Sequence, residues 1–213
     1  MMRIGIDFDN TIACYEGVFH KAALERGLIS THLPASKNAV RDYLNGSGRK
    51  DEFTLLQGYV YGARMDLVSP YPGLVEFLHR ARSERHQMFI ISHKTRHPIL
   101  GPPHDMHAAA HGFLKAKTLS GPSGVATDNI YFEVTKAEKV ARIVGLHCDV
   151  FIDDLPEILS TPGLSSTMRR ILFDPTDDHA KIDLDPTIER HRSWAEISSA
   201  IFGDDGIPSE RRP

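Results

Sequence analysis

Short apolar runs recur along the chain, and between them apolar positions return every three or four residues. RIGIDF at 3–8, MFIIS at 88–92, DVFID at 149–153 and RRILF at 169–173 read as strands. The first is apolar until acidic residues close it, the pattern of a parallel strand buried on both faces with ligands at its C-terminal end. Helical spacing fills the intervals. At 72–83, Leu74, Phe77, Leu78 and Ala81 share a face, with Arg80 and Arg82 outside it and Pro72 in the first turn. Thr135 and Glu138 have capping-box spacing ahead of Val140, Ile143 and Val144, and Gly145 is the expected terminator. Ser193 begins a last helix that packs through Trp194, Ile197 and Ile201, and the closing GDDGIPSERRP reads as a frayed tail. Strands and helices in alternation predict a doubly wound, mainly parallel α/β sheet.

Residues 13–70 break this rhythm. Segments 16–27, 36–45 and 50–62 permit helix, strand alternation is absent, and Gly46 to Arg49 mark a turn. The organisation expected is an α/β core of residues 1–12 and 71–213 with a small helical cap, 13–70, inserted after the first strand. The cap aromatics Tyr15, Phe19, Tyr43, Phe53, Tyr59 and Tyr61 are read as packing before stacking on a ligand. Arg41, Lys50 and Arg64 are read as surface charge.

At 213 residues the chain can bury one sizeable core and an accessory element. A net charge of -3 without a Lys/Arg block argues against a nucleic-acid partner. No run approaches the roughly 18 apolar residues of a spanning helix, so no membrane partner is expected. Cys14 and Cys148 have no redox or metal spacing and read as structural thiols. With no apolar leader at the N-terminus, a cytoplasmic location follows by elimination.

The chemistry lies at the strand ends. Asp7 and Asp9 flank Phe8 after the first strand, and regular strand geometry would point both to one side. A turn after Asp7 would instead let one carboxylate attack phosphorus while the other serves the leaving oxygen. Ser92, followed by His93, Lys94, Thr95 and Arg96, offers a hydroxyl and backbone donors suited to a phosphate oxygen. His93, Lys94 and Arg96 are either substrate contacts or solvent-facing turn residues. Asp153 and Asp154 end the third strand, and adjacent carboxylates there are costly unless solvated, protonated or metal-bound.

These motifs, in this order, resemble those of haloacid-dehalogenase (HAD) superfamily phosphatases. Asp7-Phe8-Asp9-Asn10-Thr11 matches the family's Asp-x-Asp-x-Thr in full. The resemblance implies Asp7 as nucleophile, forming an aspartyl-phosphate. It implies Asp9 as general acid/base, which also offers its backbone carbonyl to Mg2+. Ser92 then binds the phosphoryl group, and a lysine steadies the charged intermediate. Lys136, in the first helical turn, is favoured for that lysine over Lys139, one turn deeper. Two registers stay open for the acidic motif: Asp154 as direct Mg2+ ligand with Asp153 assisting, or Asp153 as ligand with Glu157 as outer partner. The implied activity is Mg2+-dependent hydrolysis of a small-molecule phosphate ester, such as a sugar phosphate or nucleotide. A phosphomutase and a noncatalytic phosphate- or metal-binding regulatory protein are the alternatives. No Gly-x-x-x-x-Gly-Lys-Ser/Thr loop is present to suggest a kinase.

His104, His107 and His111 fall on one face if 104–113 is helical. Without a fourth ligand they read as a solvated face ahead of substrate contacts, with metal binding last. Met106, Ala110 and Phe113 would pack that helix.

Overall fold

The computed structural model describes residues 1–203. The tail from residue 204 onward, all of GDDGIPSERRP but its first glycine, lies outside them. In chain order the elements are β1 (Arg3–Ile6), β2 (Ala13–Cys14), α1 (Val18–Glu25), α2 (Lys37–Gly46), α3 (Lys50–Ala63), β3 (Ser69–Pro70), α4 (Leu74–Ser83), β4 (Gln87–His93) and α5 (Met106–Ala116). Then come β5 (Ile130–Glu133), α6 (Lys136–Gly145), β6 (Val150–Asp153), α7 (Pro156–Leu159), β7 (Arg169–Phe173), β8 (Ile188–His191) and α8 (Trp194–Phe202).

Six strands form one sheet in the order β5-β4-β1-β6-β7-β8, and all its neighbouring pairs are parallel. Strand β1 is central: Ile4 pairs with Met88 on one side and Val150 on the other. The C-terminal ends of β1, β4 and β6, where the sequence concentrates its chemistry, are therefore adjacent. Strand alternation sends Ile4, Ile6, Ile90 and Ile152 to one apolar layer and Phe89, Ile91 and Phe151 to the other. Gly5 sits where Phe151 fills the space, since a Cβ there would lie 2.6 Å from the Phe151 ring.

The four strands read from sequence are present. The sequence reading missed β5 and β8, which are the sheet's two edges. IYFE is only half-buried throughout and IERH is mostly so, so neither shows the apolar run of a central strand. Local signals for helices fare well. Thr135 Oγ1 accepts from the Glu138 N–H while Glu138 accepts from the Thr135 N–H, completing the capping box. Ser193 caps α8 by accepting from the Glu196 N–H. Some terminal details differ. Helix α4 starts after Gly73, whose φ of 83° places it in the left-handed region, so Pro72 precedes the helix. Helix α6 includes Gly145, and His147 supplies the left-handed residue beyond it. Val144 is exposed rather than part of the buried stripe.

Between β1 and α4 stand α1, α2 and α3. Val18, Phe19, Ala22, Val40, Leu44, Phe53, Leu56 and Val60 pack them together. Ser36 caps α2 through the Ala39 N–H, and Gly48, at φ 74°, turns the chain into α3. The chain leaves and returns through an antiparallel ladder, Ala13 opposite Pro70 and Cys14 opposite Ser69. That ladder ties both ends of the helical cap at one place beside the end of β1. Among the described residues, no helix is long and apolar enough to cross a membrane.

Candidate active site

Strand β1 stops at Ile6, and the Asp7 N–H still donates to the Ile152 carbonyl at 2.9 Å. The chain then turns tightly. The N–H groups of Ile12 and Ala13 both donate to the Phe8 carbonyl, and Asn10 takes a left-handed φ of 59°, a conformation asparagine tolerates. Phe8 anchors the turn from below, edge-on to Phe113 and Phe132. The turn sends the two carboxylates to different surroundings.

Asp7 points into a buried acidic cluster. Carboxylate oxygens of Asp7, Asp153 and Asp154 lie within 4.8 Å of one another. Lys139, 1% exposed, donates to Asp7 Oδ1 at 2.6 Å and to Asp153 Oδ2 at 2.5 Å. The second oxygen of Asp153 accepts the Leu155 N–H at 2.9 Å, so both its oxygens have partners within the fold. Asp154 keeps more freedom: among the described residues its carboxylate accepts only from Asn10 Nδ2, at 3.3 Å.

One ammonium therefore bonds two of the three carboxylates, and the electrostatics reflect the deficit. Burial, with help from Asp153 and Asp9 and against Lys139, raises Asp7 to about 7. Burial and the charges of Asp7 and Asp153 hold Asp154 well above the usual carboxylate range. Burial opposes the charged form of Lys139, yet Asp153 and Asp7 together raise its pKa. Hard oxygen donors carrying excess negative charge, two of them not committed elsewhere, make a candidate site for a divalent cation.

Asp9 faces away from this cluster. Lys94, nearly buried, donates to both Asp9 oxygens at 2.9 and 2.8 Å, and the Tyr15 hydroxyl donates to Oδ1 at 2.5 Å. The His107 ring nitrogen lies 2.6 Å from the Lys94 carbonyl and steadies that segment. Lys37, at the start of α2, donates to the Tyr61 hydroxyl at 2.8 Å. Burial works against its charge, but Tyr61, Asp9 and Asp154 raise its pKa overall. Asp9, Tyr61 and Lys94 line a cavity of about 320 Å³ between α3 and the segment after β4.

Ser92 is 1% exposed and Thr11 is fully buried, and neither hydroxyl has a hydrogen-bond partner among the described residues. Unpaired buried hydroxyls are uncommon and costly, which fits groups waiting for a ligand oxygen. His93 lines the cavity, and burial lowers its pKa, favouring the neutral ring.

Lys136, the lysine that the sequence favours for the site, has a half-exposed amine that pairs with Glu157 at 3.0 Å instead of reaching the acidic cluster. Lys139, one turn further along α6, is buried and reaches Asp7 and Asp153 at the ends of β1 and β6 rather than solvent. Glu157, engaged by Lys136 and exposed, stands outside the acidic cluster. Of the two registers, the structure thus brings Asp153 and Asp154 together with Asp7 and leaves Glu157 out. The histidine expectation holds only in part. Asp105 caps α5, so His104 lies outside the helix, while His111 packs edge-on to Phe132. Met106, Ala110 and Phe113 are buried as expected. Sequence reasoning did not find Asn10 or Lys37 and read Tyr15 as packing ahead of ligand stacking, not as a partner of Asp9. No local signal marks them, since each gains its partner through the turn or the cap.

No protein-family model matches the sequence, and no curated protein matches it. Solved structures do match. A haloacid dehalogenase-like family hydrolase from Streptococcus pneumoniae superposes with a TM-score of 0.60 at 15% identity, over 94% of this chain and 98% of that one. A HAD family hydrolase from Deinococcus radiodurans R1 with bound phosphate and sodium gives a TM-score of 0.56 at 17% identity, over 94% of each chain. A HAD hydrolase from Bacillus subtilis bound to magnesium gives 0.51 at 10% identity, over 94% and 98%. The chain therefore has the fold of haloacid-dehalogenase superfamily hydrolases, with a small helical cap inserted after the first strand.

Proposed function

We propose that this protein is a Mg2+-dependent phosphomonoester hydrolase acting on a small phosphorylated metabolite through an aspartyl-phosphate on Asp7. The observation that carries the reading is the difference in surroundings between two neighbouring carboxylates. Asp7 sits in the acidic cluster with Lys139 on one oxygen, and Asp9 lines the adjoining cavity. The similar structures holding phosphate and magnesium are consistent with it.

Asp7 and Asp154, with the Asp9 backbone carbonyl, would hold the cation, and Asp153 would act from behind through Lys139 and the Leu155 N–H. When bound, Mg2+ supplies positive charge that offsets the carboxylates and the phosphoryl oxygens. Lys139 fixes Asp7 Oδ1, leaving Oδ2 to attack phosphorus. The unpartnered Ser92 and Thr11 hydroxyls and the Lys139 ammonium would donate to phosphoryl oxygens as charge moves onto them. Asp9 gives a proton to the departing oxygen, then takes one from the water that cleaves the aspartyl-phosphate. Residues 13–70 form the cap that limits water access and reads the leaving group.

A metal-controlled screen of small phosphate esters tests this, with Asp7→Asn as the negative control. Turnover that needs Mg2+ and vanishes in Asp7→Asn is expected. Near-normal turnover in Asp7→Asn would overturn the nucleophile.

A further inference from the structure

Asp9 is held from two sides, and the two holds come from different parts of the fold. From the core, Lys94 follows β4 and donates to Oδ1 at 2.9 Å and to Oδ2 at 2.8 Å. The Glu133 carbonyl fixes the Lys94 N–H at 2.8 Å, and His107 fixes the Lys94 carbonyl at 2.6 Å. From the other side, Tyr15 follows β2 where the chain enters the cap, and its hydroxyl donates to Oδ1 at 2.5 Å. The Tyr15 ring is 2% exposed and stands edge-on to Phe19 and Tyr61, with centroids 6.1 and 5.1 Å away. Packed cap residues thus carry the hydroxyl, and it cannot swing away from Asp9 without disturbing them. Its other contact, Met65 Sδ at 3.7 Å, is a weak acceptor.

The donors distinguish the two oxygens of Asp9. Each carboxylate oxygen has room for about two hydrogen bonds. Oδ1 takes two, from Tyr15 and Lys94, while Oδ2 takes only the one from Lys94. A carboxylate turns easily about its last torsion, and Lys94, which bonds both oxygens, does not choose between them. The Tyr15 hydroxyl breaks that symmetry.

Resting on the hydrolase reading, we propose that Tyr15 is a positioning residue, whose hydroxyl saturates Asp9 Oδ1 so that Oδ2 is the oxygen that exchanges the proton. As the bond from phosphorus to the leaving oxygen breaks, its electron pair stays on that oxygen and the proton on Oδ2 passes to it. Later, Oδ2 takes a proton from water as the water oxygen bonds phosphorus and the bond from phosphorus to Asp7 breaks. Tyr15 does not line the cavity and acts only through Asp9.

The test compares two esters with Mg2+. p-Nitrophenyl phosphate releases a phenolate that leaves without a proton; phenyl phosphate releases a more basic one that gains from it. In Tyr15→Phe, kcat/KM for phenyl phosphate should fall roughly tenfold while that for p-nitrophenyl phosphate stays within about twofold, the scale of a misplaced general acid. The kcat for p-nitrophenyl phosphate should still fall, after a burst of nitrophenol, because water must give its proton to Asp9 in the second step. Asp9→Asn should show the same split, larger, and adding Tyr15→Phe to it should widen the split no further. Equal losses on the two esters, no loss on either, a wider split in the double variant, or a Tyr15→Phe chain that no longer melts cooperatively would each overturn this inference alone. No Mg2+-dependent turnover of either ester by the wild type overturns the hydrolase reading and this inference with it.

Discussion

Lys139 and Lys136 lie three residues apart on one helix, and replacing each by methionine should have very different consequences. Methionine keeps most of the side-chain volume and removes the charge. In Lys139→Met, Asp7 and Asp153 lose the one ammonium within hydrogen-bond reach, at 2.6 and 2.5 Å, in a place where all three groups are almost wholly buried. Breaking a buried pair by removing one partner costs roughly 3–5 kcal/mol. For a chain of this size that is a fall in melting temperature of roughly 6–20 °C. Proton uptake by the abandoned carboxylates softens the loss at lower pH, so it should be larger at pH 8 than at pH 6. In Lys136→Met the lost partner is Glu157, and both side chains are about half exposed. Exposed pairs contribute about 0–1 kcal/mol, so its melting temperature should stay within roughly 4 °C of the wild type. Thermal and urea unfolding of the two variants in EDTA, at both pH values, measures the contrast, and turnover with Mg2+ should be lost only in Lys139→Met. Equal stabilities for the two variants, or a Lys139→Met loss that does not grow with pH, would refute the reasoning.

Other outcomes follow from the same geometry. Asp7 is raised to about 7 in the fold against about 3.9 for a free aspartate, so between those values the folded chain holds more protons than the unfolded one. The stability of the metal-free protein should therefore fall as pH rises from about 4 to about 7, by on the order of 4 kcal/mol; added Mg2+ should flatten the slope, and urea midpoints across pH would expose a flat metal-free profile as the contrary result. Thr11→Val and Ser92→Ala remove buried hydroxyls that bond nothing in the fold, so melting temperature should hold or rise while turnover falls on the order of 10²-fold; a clear loss of stability would show that the hydroxyls are structural. Gly62→Ala should destabilise the cap, because its Cβ would lie 2.3 Å from His104 Cβ. The strain of roughly 1–3 kcal/mol outweighs the ~1 kcal/mol that alanine gains over glycine in a helix, and a more stable variant by calorimetry would contradict this.

The sequence determined more about the fold than about the site. Four of the six sheet strands were legible because they are the buried ones, and burial on both faces writes an unbroken apolar run such as MFIIS. The edges β5 and β8 were not, since half-buried strands with charged residues look like loops. Thr135 and Ser193 gave their helix starts correctly, because a cap is a bond between residues three apart. The Asp7–Asp9 and Asp153–Asp154 pairs also stood out locally, each being a costly cluster at a strand end. What tertiary structure alone decided was which charge meets which. Lys139 rather than Lys136 reaches Asp7 because α6 packs against β4 and β5 with Lys139 on its buried face, beside the end of β1, a meeting of residues separated by 132 positions of chain. Tyr15, Lys94 and Lys37 converge near Asp9 and Tyr61 because the turn at Asn10 and the folded cap carry them there. Periodicity and capping are short-range properties of neighbouring residues. A buried charge balance is a long-range one, set only when separate segments close on the same small volume.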